Sequence, residues 1–347
     1  MTPTITVRGI VTDAGPVAVR IDGRPVPVDG VAFAADVPLR HGLNRLEVEA
    51  TDAAGNHTRL IRTVRFEDLH RIQALVPPVL VAAGLPDLGG VAFGPDGALV
   101  VTVPHAGRIY RIPGEGGAPQ LRQDHLRQPV GIAVMDDGTL FVAEQGADRI
   151  LRIDPDGTRR VVLDQLDDPR GLALDSHGHL FLTAGRWPRA GRDADGDIHR
   201  GVVLRLDLAS GKLQVVTDSL VAPAGIVVAT DGSEERLWVV AERRHGEAEA
   251  RGEALFRITL AGAVGPIPGP HLWRPQAVVR DGLGSLWLTA RRQYSTPEDM
   301  DDDADDWERG VLFKLTGEGV WQRFAAHLDA ATGMALAGQG DLFVVET

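Results

Sequence analysis

Short apolar runs separated by turns rich in Gly and Asp recur along most of the chain. Six segments align: "GGVAFGPDGALVVTV" (89–103), "VGIAVMDDGTLFVAE" (130–144), "RGLALDSHGHLFLTA" (170–184), "AGIVVATDGSEERLWVVAE" (224–242), "QAVVRDGLGSLWLTA" (276–290) and "TGMALAGQGDLFVVE" (332–346). Each predicts an apolar strand, a tight turn and a second strand. Alternating segments then predict a third strand: "RIYRI", "RILRID", "VVLRLD", "LFRIT" and "LFKLT". A fourth follows, as in "RRVVLDQL" (159–166).

A shared reference position falls at Gly90, Gly131, Gly171, Gly225, Ala277 and Gly333, at intervals of 41, 40, 54, 52 and 56. A repeat of about 40 residues carrying four strands predicts a propeller blade. One such sheet cannot bury both faces alone, whereas a ring of sheets buries each against its neighbours. The sixth unit runs out after two strands, at Thr347. "HRIQAL" (70–75) and "PVLVAAGL" (78–85) are expected to complete it, so that strands from both ends of the chain close the ring. Closure in this way removes a free sheet edge.

Residues 1–67 follow another pattern, with alternating strands "TITVRGIVTD", "VAVRIDG", "VAFAADVPL", "NRLEVEATD" and "TRLIRTVRF". Within them "GLNRLEVEATDAAGN" (42–56) resembles the signature of bacterial immunoglobulin-like domains, in which "DAAGN" forms a hairpin. The resemblance implies an adhesion, spacer or docking module without chemistry of its own, and this segment shows no catalytic grouping. The repeats resemble NHL-type units and the superfamily of streptogramin lyases and gluconolactonases, with "PVGIAVMDDGTLFVAEQGADRILRIDPDG" (129–157) close to the ideal unit. The fold class is therefore all-β: an immunoglobulin-like β-sandwich over 1–67, then a six-bladed β-propeller of four-stranded blades over 68–347. The scaffold hosts enzymes and pure binding proteins alike.

Composition narrows the function. The chain has 347 residues, of which 44 % are hydrophobic and 24 % charged, as in ordinary soluble globular proteins. A net charge of −12 argues against nucleic acid or an anionic membrane as the main partner. Lys212 and Lys314 are the only lysines among 36 basic residues. That arginine bias reflects either GC-rich coding or functional guanidinium groups. With no cysteine, disulfides, thiolate metal sites and cysteine nucleophiles are excluded. No apolar run approaches the ~20 residues of a membrane span. The start, "MTPTITVRGIV", lacks the basic region and apolar core of a signal peptide. The expectation is a protein that stays inside the cell or a chain that has lost a leader; both domain types are common in secreted bacterial proteins, and the compartment is left open.

The repeats differ most between their second and third strands. Ala143 to Asp154 is 11 positions, whereas Ala184 to Asp207 is 23, Ala241 to Thr259 is 18 and Ala290 to Thr316 is 26. All three insertions are expected on one face of adjacent blades, where function on repeat scaffolds concentrates. The first holds Asp193, Asp195 and Asp197, hard oxygen ligands suited to Ca²⁺ or Mg²⁺. Gly196 precedes the third carboxylate instead of following it, and no bidentate Glu completes a calcium loop. The alternative is a solvated acidic loop, as for the run over 299–306. The insertions open with Arg186, Arg243–Arg244 and Arg291–Arg292. Clustered guanidinium groups suit carboxylate or phosphate ligands, or else pair with acids of their own loops. Arg170, Gln276 and Tyr294 join these arginines as candidate ligand-binding residues.

The gluconolactonase resemblance implies a divalent metal held by Glu, two Asn and Asp at the starts of inner strands. Here those starts are Gly89–Gly90, Arg170, Ala224 and Gln276, so the metal-polarised lactonase mechanism is not expected. The streptogramin lyase resemblance implies a His/Glu pair with Mg²⁺, for which His245, near Glu242 and Glu247, is the nearest counterpart. His105, Glu144, Glu242 and His245 are the substitutes for acid–base work, against the alternative of solvated or ion-paired side chains. The leading expectation is a recognition or assembly protein. Its loop-rich propeller face binds a small molecule, peptide or partner protein, and its N-terminal domain docks elsewhere. The rival is a lyase or hydrolase working at the channel mouth. No cofactor is required by the sequence; Ca²⁺ or Mg²⁺ is the candidate.

Overall fold

The computed structural model describes residues 4–13, 15–38, 42–66, 80–114, 116–187, 200–231, 234–244, 254–270, 272–293, 309–325, 328, 331–337 and 341–346. The chain divides into two compact units, Met1–Pro78 and Val79–Thr347.

The first unit is a sandwich of two antiparallel sheets. One joins β1 (Thr4–Ile10), β5 (Ala32–Pro38) and β4 (Val28–Asp29); the other runs β3 (Arg24–Val26), β2 (Val17–Ile21), β6 (Gly42–Asp52), β7 (His57–Phe66). Alternate residues Val19, Ile21, Phe33, Val37 and Leu46 fill the space between them, as the period-2 pattern requires. The β6–β7 hairpin is set by Asp52, whose Oδ1 accepts the Ala54 and Asn56 amides at 2.9 and 2.8 Å. Its Oδ2 accepts the Asn56 side chain at 2.8 Å. That side-chain hydrogen bond, with the backbone amides, holds the Asp52 carboxyl below the usual carboxylate range. Gly55, at φ 88°, supplies the left-handed residue of the turn.

The second unit is a ring of sheets. Blade 1 comprises β8 (Val91–Phe93), β9 (Leu99–Val103), β10 (Arg108–Ile112) and β11 (Gln120–Gln123). Blade 2 comprises β12 (Pro129–Val134), β13 (Leu140–Glu144), β14 (Arg149–Ile153) and β15 (Arg159–Leu163). Blade 3 has β16 (Leu172–Leu174), β17 (His179–Ala184), β18 (Arg200–Asp207) and β19 (Leu213–Val221). Blade 4 has β20 (Ile226–Asp231), β21 (Glu234–Val240), β23 (Leu255–Thr259) and β24 (Val264–Ile267). Blade 5 has β25 (Leu272–Arg280), β26 (Leu286–Gln293), β27 (Arg309–Leu315) and β28 (Trp321–Ala325). Among the described residues blade 6 holds β29 (Gly333–Leu336) and β30 (Leu342–Val345). The inner strands β8, β12, β16, β20, β25 and β29 pack in that cyclic order, with β29 returning to β8.

Two details depart from the sequence expectation. Blade 3 gains a fifth strand: β22 (Arg243–Arg244), the start of the blade 4 insertion, pairs with Leu220 and Val221 of β19. At the closure, residues 70–79 lie outside the described residues, and 80–85 carry no strand. Val81, Ala82 and Leu85 nevertheless pack into the cluster that joins blade 1 to Ala335 and Val345 of blade 6. Thr332 Oγ1 donates to the Leu88 carbonyl at 2.6 Å across the same seam.

The cores lie between blades. Phe141 and Ile150 of blade 2 meet Leu180, Leu182 and Leu204 of blade 3. Phe181 and Val203 of blade 3 meet Leu237, Val239 and Phe256 of blade 4. Burying each such side chain stabilises by about 1.5–3 kcal/mol. Near the axis the contact becomes backbone on backbone. A Cβ on Gly131 would collide with the Arg170 carbonyl of the next inner strand, one on Gly90 with the Val130 carbonyl, and one on Gly171 with the Ala224 carbonyl. A Cβ on Gly225 would stand 2.7 Å from Cα of Ala277, and one on Gly333 2.6 Å from the Gly89 oxygen. The reference glycines are therefore points where adjacent inner strands touch.

Threonine hydroxyls bridge two of these contacts. Thr102 Oγ1 accepts the Gly90 amide at 2.8 Å and donates to Val130 O at 3.0 Å. Thr183 Oγ1 accepts the Gly171 amide at 2.8 Å and donates to Ala224 O at 2.6 Å. Thr289 stands at the same repeat position in blade 5, fully buried, and its hydroxyl has no hydrogen-bond partner among the described residues.

Two expectations follow for stability, both measured by chemical denaturation. Gly131→Ala should cost about 2–3 kcal/mol as an overpacked contact. Gly282→Ala, at a turn with open space around it, should stay within about 0.5 kcal/mol; equal costs would remove the close approach as a constraint on the ring. Thr183→Val should lose about 1–3 kcal/mol by orphaning buried groups, whereas Thr289→Val should be neutral or stabilising. The reverse order would overturn the bridging role.

Candidate functional site

The propeller axis opens into a cavity of about 480 Å³. Three residues centred on the reference position line it in all six blades: Gly89–Val91, Val130–Ile132, Arg170–Leu172, Ala224–Ile226, Gln276–Val278 and Thr332–Met334. The ends of the second strands add His105, Gln145, Glu242 and Arg291. This is the face that carries the insertions; the turns joining first to second strands lie at the other end.

A further set of lining residues comes from the corners where one blade passes into the next. Asp87, Gln128, Asp168, Ala222 and Arg274 each stand three positions before the reference residue of their blade. All five are left-handed, with φ of 57°, 46°, 52°, 46° and 47°. Asp87, Gln128, Ala222 and Arg274 line the cavity. Sequence reasoning examined the position next to the reference glycine and missed this one. The fixed offset was its available signal, but the backbone conformation that turns these side chains inward leaves no mark in residue type.

The candidates separate into distinct environments. Arg170 lines the cavity but is braced by Asp168, at 2.8 Å from Nε and 2.6 Å from a terminal nitrogen. Asp168 also accepts from the Gln145 side chain. Arg186 does not line the cavity; it bridges to Asp167 through its backbone and lies 3.8 Å from that carboxylate. Glu144 is fully buried, accepts the Arg127 amide at 2.7 Å and pairs with Arg149 at 2.5 Å, and so stands outside the cavity as a brace. His105 lies against Asp87, which also accepts the His105 amide at 3.2 Å. Glu242 lines the cavity, exposed, and among the described residues its backbone amide is fixed on Val221 O at 3.0 Å. Gln276 lines the cavity and donates to the Arg274 carbonyl at 3.0 Å.

Arg274 and Arg291 both line the cavity, both are exposed, and neither meets a carboxylate among the described residues. The Arg274 guanidinium stacks on the Trp273 ring at 4.5 Å. Arg111, Arg149, Arg152, Arg160 and Arg170, by contrast, each meet an acid. Strand register places Arg243 and Arg244 beside β19, and Arg292 opposite Trp273 and Arg309. His245, Tyr294, Asp193, Asp195 and Asp197 lie outside the described residues.

The inner-strand starts do not fit a divalent metal. They present glycine, valine, a guanidinium, alanine, an amide and a hydroxyl, with no convergent carboxylates. Among the described residues, a group able to share a cation is Asp175, His177 and Glu235, with ligand atoms within 4.8 Å of one another. It sits in first-to-second-strand turns, away from the cavity. Asp175 is already engaged there by the His177 and His179 amides, each at 2.8 Å, and by His179 Nδ1 at 2.6 Å. Among the described residues no helix is long and apolar enough to cross a membrane.

Comparison with known proteins bears on the fold. The family described as glucodextranase, domain B, matches residues 2–67. Comparison with curated protein sequences gives no match. Among solved structures, a protein of unknown function from Bacteroides thetaiotaomicron aligns at 12 % identity over 100 % of this chain and 92 % of its own, with a TM-score of 0.59. A gluconolactonase from Xanthomonas campestris aligns at 20 % identity over 75 % of this chain and 82 % of its own, with a TM-score of 0.56. A streptogramin B lyase aligns at 18 % identity over 88 % of this chain and 89 % of its own, with a TM-score of 0.48. In fold, the chain is an immunoglobulin-like sandwich followed by a β-propeller, and the likeness to these structures is one of fold.

Proposed function

We propose that this protein is a recognition protein whose propeller binds a small molecule at the channel mouth, with the N-terminal sandwich as a docking or spacer module. One observation carries the reading: two guanidinium groups, Arg274 and Arg291, face a cavity of about 480 Å³ without acidic partners among the described residues. A concave pocket of a few hundred Å³ suits a small ligand. Stacked on Trp273, Arg274 is held by its face and keeps its N–H edge for forked hydrogen bonds to an anionic oxygen pair.

A second reading keeps the lyase or hydrolase alternative. It is favoured by the contact of His105 with Asp87, which orients the imidazole at the same cavity, with the Glu242 carboxylate also on its wall. A base and an acid facing one ligand are the parts of proton-transfer catalysis. A divalent cation, where one takes part, would come from the insertion carrying Asp193, Asp195 and Asp197 or from the Asp175 turn, since the inner strands supply no ligand set.

The binding reading is checked by ultrafiltration of a soluble metabolite extract with the protein, followed by accurate-mass detection. Wild type should retain at least one anion-bearing compound. Arg274→Ala with Arg291→Ala should weaken that compound by about two to four powers of ten, from roughly 1.5–3 kcal/mol per charged contact if additive. The melting temperature should hold, because both residues are exposed. Retention of nothing by wild type, or by both proteins alike, overturns the reading. If the retained compound is converted, His105→Ala should abolish conversion while leaving retention. Lactone hydrolysis sensitive to chelators is not expected from either reading; robust activity of that kind would show that ligands reach the axis from elsewhere in the chain.

A further inference from the structure

In five successive blades the position three before the reference residue holds a non-glycine residue in the left-handed region, ahead of the inner strand in four and near the start of β25 in the fifth. That conformation costs an L residue about 1–2 kcal/mol and costs glycine almost nothing. Asp tolerates it best; Gln128, Ala222 and Arg274 do not have that advantage. The chain thus keeps side chains at corners where glycine is the low-energy choice. Strain retained beside a cavity marks a position with work to do. Four of the five line the cavity directly, and Asp168 acts on it through Arg170 and Gln145.

We propose that these corners form the ligand-reading ring of the site, and that its charges select a small molecule bearing both a carboxylate and a cationic amine, such as a free amino acid or short peptide. This rests on the reading of the channel mouth as a binding site. The cationic half is Arg274, supported by Arg291 of the same blade. The anionic half is Asp87 on blade 1, supported by Glu242 on blade 4. Both signs line one cavity, yet none of these arginines lies within salt-bridge reach of either carboxylate. Arg111, Arg149, Arg152, Arg160 and Arg170 have closed on acids, whereas Arg274, Arg291 and Glu242 meet no opposite charge among the described residues and Asp87 meets only His105. A ligand with one charge satisfies one half and leaves the other without a ligand partner, which costs binding energy as the site loses water. A ligand with both charges satisfies both. Gln128, Gln145 and Gln276 add amides able to donate or accept along its length.

The test uses the full chain and three pools made from one set of free amino acids and dipeptides: unmodified, N-acetylated, and C-amidated. Each is equilibrated with the protein at low salt and retained members are counted by mass spectrometry. Unmodified members should be retained at least tenfold above their acetylated and amidated forms. Asp87→Asn should lose preference for the free amine over the acetylated form. Arg274→Gln, which leaves the strained corner in place, should lower retention at least tenfold. Arg274→Gly should lower it equally while the melting temperature is unchanged or raised. Equal retention of a capped pool, or retention only of a compound from the metabolite extract that lacks one of the charges, overturns the ligand class and leaves the binding reading standing. No retention from any pool or from the extract overturns both. A melting temperature several degrees lower in Arg274→Gly assigns that residue to bracing the blade and removes the reading ring.

Discussion

The close approach of neighbouring inner strands is the constraint on which the rest of the propeller depends. At Gly131 the next strand's carbonyl occupies the space a Cβ would fill, and the same holds at Gly90 and Gly171. Backbones that touch at one point per blade fix the distance of every inner strand from the axis. That distance in turn sets the width of the channel and the gap between sheets, which the apolar clusters then fill. Where blade 5 substitutes Ala277 for glycine, its neighbour in blade 4 is Gly225, so the pair still has room for only one methyl group.

Because the first residues of the inner strands are spent on this contact, few of them can carry side chains toward the axis. Beside Arg170, Gln276 and Thr332, most polar groups at the channel mouth come from just outside the ring. They have two sources: the ends of second strands, which deliver His105, Glu242 and Arg291, and the positions three before the reference residues, which deliver Asp87, Gln128 and Arg274. The corner can turn inward only by passing through the left-handed region. The strained residues and the glycines are therefore parts of one solution: close contact at one position displaces the functional side chain by three.

Much of the fold was legible in the sequence because its constraints act on residue type. The glycine interval, the Asp–Gly turns and "DAAGN" each demand particular residues, and the structure shows those residues making the contacts that demand them. Site residues were legible only in part. Arg170, Gln276, Arg291, His105 and Glu242 do line the cavity. Glu144 shares with Glu242 the end of a second strand, yet one is sealed against Arg149 and the other exposed. That difference arises from what the adjoining loop places above the strand, which no local pattern encodes. Arg274 was not legible for a different reason. A left-handed corner favours glycine or Asp, so an arginine there runs against the residue preference a pattern would search for.

This arrangement also separates the demands of stability from those of recognition. The cluster joining blades 2 and 3 and the contacts at Gly131 and Gly171 are shared between sheets, so a change there disturbs two blades at once. A corner side chain touches few neighbours, His105 for Asp87 and the Trp273 ring for Arg274, so changing it alters the cavity without disturbing the contacts between sheets. The five such corners among the described residues, free to differ in charge and size, would let one rigid ring present different combinations of groups to a ligand in the proposed site. In this chain the combination runs from Asp87 through the amide of Gln128 and the small Ala222 to Arg274, so that charge of opposite sign stands on different blades of a ring whose radius the glycines have already fixed.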